Sequence, residues 1–187
     1  MLAHHRRRGR VVLVRRGLYA AVPPGSSPET CVLDPYLLTS KMADDAVLAY
    51  HTALEVHGRA HSVFERFFYL TERAARPAEF RGWRFTGVRP PKALLAAGRA
   101  ATGVTTLDRS GLPVRVTTLE RTLVDVLDRP DLGGGWEEIW RSLESVEFFD
   151  LDRVVEYALL LGNATTVGRV GYFLDQHREE LMVEEKH

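Results

Sequence analysis

TTLERTLVDVLDRPDLGGGWEEIWRSL, Thr117–Leu143, reads as helix, stop, glycine turn, helix. Thr117 and Glu120 have the T-x-x-E spacing of a capping box, in which each side chain satisfies a free backbone N–H of the first turn. Leu119, Leu123, Val126 and Leu127 then recur at helical spacing, giving one apolar face. Asp128-Arg129-Pro130 ends that helix, because the residue before a proline is forced out of the α region. After Gly133-Gly134-Gly135, the residues Trp136, Ile139, Trp140 and Leu143 restart the pattern at i, i+3, i+4, i+7. Two short helices with so much apolar surface need a partner layer, and the sequence upstream supplies strands.

Working back from Thr117, Leu112–Val116 and Gly103–Leu107 flank Asp108-Arg109-Ser110-Gly111, which predicts a hairpin with a four-residue connection. Phe80–Val88 alternates and predicts a strand, closed by Pro90-Pro91. Val63–Thr71 (VFERFFYLT) is aromatic and β-branched, and predicts another. Pro35 behind Asp34 opens a helix to about Met42. Asp44 or Asp45 is expected to cap a second helix, Ala46–Val56, ended by Gly58. Forward from Leu143, Asp150 caps a helix to about Leu161. Thr165 or Thr166 begins the last one, with Val167, Val170, Gly171 and Leu174 inward, before a tail, HREELMVEEKH, expected to fray. Strands in the middle and helices at the end predict an α+β fold with a mixed or antiparallel sheet and a helical C-terminal half.

The first 28 residues differ from the rest. They hold Arg6, Arg7, Arg8, Arg10, Arg15 and Arg16 and no acid, whereas residues 131–187 hold 5 basic and 13 acidic residues. The formal net charge of +0 therefore hides a basic head and an acidic tail, which suit different partners. Met1–Gly9 has the look of the last turns of a helix, with Gly9 as its stop. Arg10–Val22 predicts a β-hairpin tipped by Arg15-Arg16-Gly17. Pro23-Pro24-Gly25-Ser26-Ser27-Pro28 breaks regular structure and is the natural boundary. A helix end followed by an arginine-tipped hairpin fits the recognition-helix end and wing of a winged helix-turn-helix. The same residues also fit a hairpin packed on the main domain as an arginine-decorated edge. In the first case the six arginines contact nucleic-acid phosphates, each displacing a counterion. In the second they are a solvated charge run.

Other chemistry is excluded more firmly. The chain has 187 residues, 45% apolar and 27% charged, enough for a globular core. Cys31 is the one cysteine, so no internal disulfide can form and a reducing compartment, the cytoplasm, is expected. No apolar run is long enough to span a bilayer, and no apolar segment follows the first arginines as in a secretory signal. His57 and His61 have a metal-gripping i, i+4 spacing, but Gly58 interrupts the helix and no thiolate or H-E-x-x-H accompanies them. His51 completes that cluster and His4-His5 belongs to the basic end. Gly133–Gly135 could cradle a phosphate, yet Glu137 and Glu138 follow at once and no Lys-Ser/Thr does, so a turn fits better. Asp125 and Asp128 lie a helical turn apart without further catalytic company. No nucleophile elbow exists. No catalytic residue, no metal site and no cofactor are expected.

Four segments, in order, resemble the AbiEi antitoxin family. They are RRGLYAAVP (Arg15–Pro23), AYHTALEVHG (Ala49–Gly58), VTTLERTLVDVLDRPDLGGGWEEIWRSL (Val116–Leu143) and GRVGYFLD (Gly168–Asp175). The third is the most distinctive, an E-R-T-L-V-D helix followed by R-P and glycines. The resemblance spans about Arg10 to Leu181. It implies an antitoxin of a type IV toxin–antitoxin pair linked to phage defence by abortive infection. It implies an N-terminal winged helix that represses the antitoxin's own promoter, and a C-terminal α/β domain that counters an AbiEii-like nucleotidyltransferase toxin without needing a stable complex. The family's winged helix begins roughly forty residues before its wing, a span that suits a three-helix module. Met1 stands close to the wing here. The expected organisation is thus 1–25 as the recognition-helix end and wing of a truncated winged helix, and 29–187 as the AbiEi-like domain. The expected partners are promoter DNA, through Arg6, Arg7, Arg8, Arg10, Arg15 and Arg16, and the toxin, with no membrane. The alternative is a transcriptional regulator without a toxin, whose α+β domain binds a ligand or protein. A nuclease needs clustered carboxylates and a lysine around Mg²⁺. After Leu132 the only lysine is Lys186.

Overall fold

The computed structural model describes residues 2–184. Met1 and the end of the charged tail lie outside the described residues. The fold is α+β. Its sheet is six-stranded and mixed, in the order β5-β6-β4-β3-β8-β7, where β3 is Val47–Leu48, β4 Arg66–Leu70, β5 Ala78–Phe80, β6 Trp83–Val88, β7 Val104–Arg109 and β8 Leu112–Thr117. The β4–β6 and β3–β8 pairs are parallel and the other three antiparallel.

Strand β4 explains the layering. Its burial runs without alternation from Phe67 to Leu70 because both faces are covered. Phe68 and Leu70 face one core, made with α3 (His51–Val56), α5 (Leu119–Asp128), α6 (Trp136–Glu144), α7 (Leu151–Leu161) and α8 (Ala164–Gln176). Phe67 and Tyr69 face the other, with Phe85, Leu38 and Met42 of the α2 segment (helix Pro35–Ser40), and Val14. Val14 belongs to a separate two-stranded hairpin, β1 (Val11–Arg15) and β2 (Leu18–Ala21), which follows the short helix α1 (Leu2–Arg7). The hairpin and the helix before it are where the arginine pattern places them, and the hairpin lies over the second core.

Several local expectations shift. The helix expected over Ala46–Val56 is a buried strand, β3, followed by a shorter α3. Every residue from Ala46 to Leu54 is buried, and such a run carries no periodicity to tell the two apart. Asp45 caps nothing; its carboxylate accepts from Thr71 Oγ1 at 2.6 Å and Glu72 N at 2.8 Å, closing the end of β4. The cap of α5 is Thr118, not Thr117, because Thr117 still pairs with Val104 in the sheet. The Thr117 hydroxyl instead meets Thr122 Oγ1 at 2.7 Å, and Glu120 accepts from Asp150 N, so no reciprocal capping box forms.

The β7–β8 connection is two residues, Ser110-Gly111, both at positive φ, rather than four. Phe80–Val88 is split by an equivalent turn at Arg81-Gly82 into β5 and β6. Such turns match the twist of the strands they join, which lets the ladders run to the very tip. A further short helix, α4 (Lys92–Ala96), follows the two prolines. The last helix is capped by Asn163, not by a threonine, and Gly171 on it is exposed. The tail leaves helical geometry after Gln176.

The glycine run has a packing cause. A Cβ on Gly133 would lie 2.7 Å from the Ile139 side chain, and one on Gly134 2.7 Å from the Phe64 ring. Gly134 also sits at φ 93°, where a side chain is strained. The turn is filled by its own protein, not shaped around a ligand.

Candidate nucleic-acid interface

Gly9, at φ 63°, ends α1 by donating its N–H to the Arg6 carbonyl at 3.1 Å and swings the chain into the hairpin. Arg10 opens the ladder, its carbonyl accepting from Val22 N at 2.9 Å. Register runs regularly from Val11↔Ala21 to Leu13↔Tyr19, then jumps to Arg15↔Leu18. Val14 is the extra residue, a β-bulge, and bulges re-aim side chains. Here it turns both Val14 and Arg15 toward the body. Val14 enters the second core, and the Arg15 guanidinium donates to the Met42 carbonyl.

The six arginines therefore split. Arg6, Arg7, Arg8, Arg10 and Arg16 are exposed on α1, the turn after it and the hairpin tip. Arg15 is half-buried and anchors the hairpin, with its Nε buried and without a hydrogen-bond partner. An exposed arginine can give charge-assisted, bidentate bonds to phosphate. Arginine–phosphate contacts fix position along a strand and read no sequence.

Sequence reasoning missed the neighbouring wall. The connection from β4 to β5 carries Arg73 and Arg76, both exposed, and lies across a groove of about 670 Å³ from Arg15 and Arg16. The signal was two arginines in TERAARP between strands, but only the sheet topology brings them to the hairpin.

The other polar clusters are buried or half-buried, apart from the exposed His61. His51, His57 and His61 do not converge: His57 Nε2 donates to the Thr117 carbonyl at 2.7 Å, and His61 donates its backbone N–H to Ser142 Oγ. His51 stacks on Phe64 with centroids 4.1 Å apart and places Nε2 3.0 Å from Glu138 Oε1. Its Nδ1 faces Glu55 Oε1 at 3.5 Å. Burial pushes the Glu55 carboxyl up to about 7 and holds His51 below its ordinary value. Burial would raise Glu138 too, but hydrogen bonds from Ser62 and His51 outweigh it and hold that carboxyl at about 2. So Glu138, in the first turn after the glycines, spends its carboxylate on His51, Ser62 and Ser142.

Arg121 and Asp125 form a pair at 3.1 Å, each side chain 1% exposed. Tyr157 donates its hydroxyl to Asp125 at 2.8 Å, and Arg121 Nη1 donates to the Ala100 and Thr102 carbonyls. Burial drives the Asp125 carboxyl up, against Arg121 and Tyr157. These residues of the E-R-T-L-V-D block weld α5 to α7 and to the loop before β7. Asp128 is diverted to Thr166 and Asn163. Among the described residues no group of three metal-ligating side chains exists, and no helix is long and apolar enough to cross a membrane.

One apolar surface stands out. Trp136 and Tyr172 are 49% and 59% exposed, and with Trp140 and Leu127 they line a groove of about 380 Å³ between α6 and α8. The Arg169 guanidinium sits 5.1 Å over Trp136.

No protein family matches the sequence, and no curated protein does. The structure is similar to the crystal structure of RV2827C protein from Mycobacterium tuberculosis, with 25% sequence identity and a TM-score of 0.61. That match covers 96% of this chain and 65% of the other, so this chain spans a little under two-thirds of the solved protein's length.

Proposed function

We propose that this chain is an AbiEi-type antitoxin, non-enzymatic, that counters a nucleotidyltransferase toxin in the cytoplasm and binds DNA through its basic N-terminal end. The observation that carries the DNA-binding half is the separation of charge: five exposed arginines on α1, the turn after it and the hairpin tip, with no acid in the first 28 residues to neutralise them. A surface of this kind concentrates a polyanion before any specific contact forms. The four ordered segment resemblances support the antitoxin half. The most distinctive of them lies on the helices that unite the fold, and its polar residues are spent on structure.

Co-expression decides between outcomes. With the protein made alongside the nucleotidyltransferase encoded next to it, growth is restored in a strain that the toxin alone arrests. A neighbouring gene of another kind, or toxicity that does not change, removes the antitoxin reading. A promoter fusion then reads repression separately.

The groove between Trp136, Trp140 and Tyr172 favours a second reading, a regulator without a toxin whose helical half takes an apolar ligand or protein. Aromatic and arginine side chains exposed together are typical of binding hot spots. Gene order separates the two readings.

A further inference from the structure

We propose that the hairpin and the β4–β5 connection form the two walls of one groove for a nucleic-acid backbone, so that contact continues from the hairpin onto the sheet domain. This rests on the DNA-binding reading above and extends it to residues outside the hairpin.

Charge is the first support. The groove is lined by Arg15 and Arg16 on one side and by Arg73 and Arg76 on the other, with Asp44 and Glu79 as its acids. Both acids are matched: Asp44 accepts from Arg73 at 2.9 Å, and Glu79 from Arg84, outside the groove, at 2.9 Å. Arg16 and Arg76 face no carboxylate among the described residues. The unmatched charge is therefore positive and sits on both walls.

Rigidity is the second. Val14 is buried in the core beneath, and Arg15 is tied to the Met42 carbonyl. The opposite wall is seated on β6, where Gly87 leaves room for Ala75: a Cβ there would lie 2.6 Å from the alanine methyl. Walls held in this way lose little freedom when a ligand arrives.

The chemistry names the ligand class. Arginine-lined walls without an exposed aromatic ring to stack a base suit a sugar–phosphate strand, held by its charge and not by its sequence. Each arginine that meets a phosphate releases about 0.9 counterion.

Fluorescence anisotropy on a short DNA duplex across a salt series tests this with the full chain. The variants are Arg76→Ala, Arg76→Glu and Arg16→Ala, with Arg153→Ala on α7 as a control. At about 0.1 M salt Arg76→Ala weakens binding roughly eightfold, as loss of one phosphate contact dictates, and the log–log salt slope becomes shallower by about 0.9. Arg76→Glu weakens it further, and Arg153→Ala leaves it unchanged. Thermal melts of the variants match wild type, since Arg76 is exposed. Wild-type affinity in both Arg76 variants while Arg16→Ala binds weakly overturns the groove and leaves the hairpin reading standing. Displacement of the duplex by inorganic phosphate at constant ionic strength also overturns it, in favour of a small-anion site. Failure of the wild-type protein to bind duplex at low salt overturns both readings.

Discussion

The hairpin end and the helical layer solve opposite problems. The hairpin buries Val14 in a core with Leu18 and Ala20 packed against it, is anchored by one arginine, and gives its remaining arginines to solvent. The helical layer turns some of its charged residues inward: Arg121, Asp125 and Glu138 are all buried and hydrogen-bonded. A motif that looks distinctive in sequence is thus the structural one, and a plain run of arginines is the surface free to meet a partner. Buried ion pairs are sensitive to loss of one member, whereas an exposed charge can be removed at almost no cost to stability.

The largest test of that contrast is Asp125→Ala. It leaves the Arg121 guanidinium buried without its counter-charge and should destabilise the fold by about 3–5 kcal/mol in denaturant melts. Replacing both partners by apolar residues should recover much of the loss. If the single variant melts like wild type, the pair is not the weld described. Trp140→Ala comes next. That ring is only partly buried but meets Phe173 edge-on at a centroid distance of 5.2 Å. Roughly 2–3 kcal/mol is expected, below the cost of a fully buried ring.

The His51 cluster gives a pH signature. Glu55 has its carboxyl raised from 4.5 to about 7, so the folded state holds a proton that the unfolded chain releases. Stability is full below 4.5 and declines as pH rises toward 7. Glu138, lowered to about 2, acts in the opposite sense: its contribution is present above 4.5 and is lost as pH falls toward 2. Glu55→Gln should flatten the upper limb of a melting-temperature profile and leave the acid limb intact. A profile unchanged in the variant would show that Glu55 ionises as freely as in the unfolded chain.

The smallest effects on stability belong to the hairpin. Val14→Ala should cost about 1–2 kcal/mol through lost burial, while Arg16→Ala should fall within about 0.5 kcal/mol of wild type. Equal costs for the two would erase the distinction between anchor and surface.

Much of this was legible in the sequence. The α5–α6 helices, the hairpin at Arg10–Val22 and the caps at Asp34 and Asp150 follow from periodicity and local chemistry. What was hidden depends on neighbours distant in sequence. Val47–Leu48 becomes a strand because β4 and β8 flank it, and nothing within Ala46–Ala49 says so. Thr118 takes the cap because the ladder claims Thr117. For the surface, the sequence named six arginines as one group. It could not separate Arg15 from Arg16, since a bulge decides which of them turns inward, nor bring Arg76 to the same groove.

The basic end is proposed to bind nucleic acid through its exposed arginines, and the salt dependence of duplex binding reads those contacts directly. Five phosphate contacts from these arginines contribute about −4.5 to the wild-type slope of log K against log salt, and the groove contact of Arg76 adds about −0.9. Changing Arg6, Arg7, Arg8, Arg10 and Arg16 to alanine together should bring the slope close to that of the groove residues left behind, with the fold intact. A variant that binds with the wild-type affinity and slope would show that these arginines do not meet the phosphates.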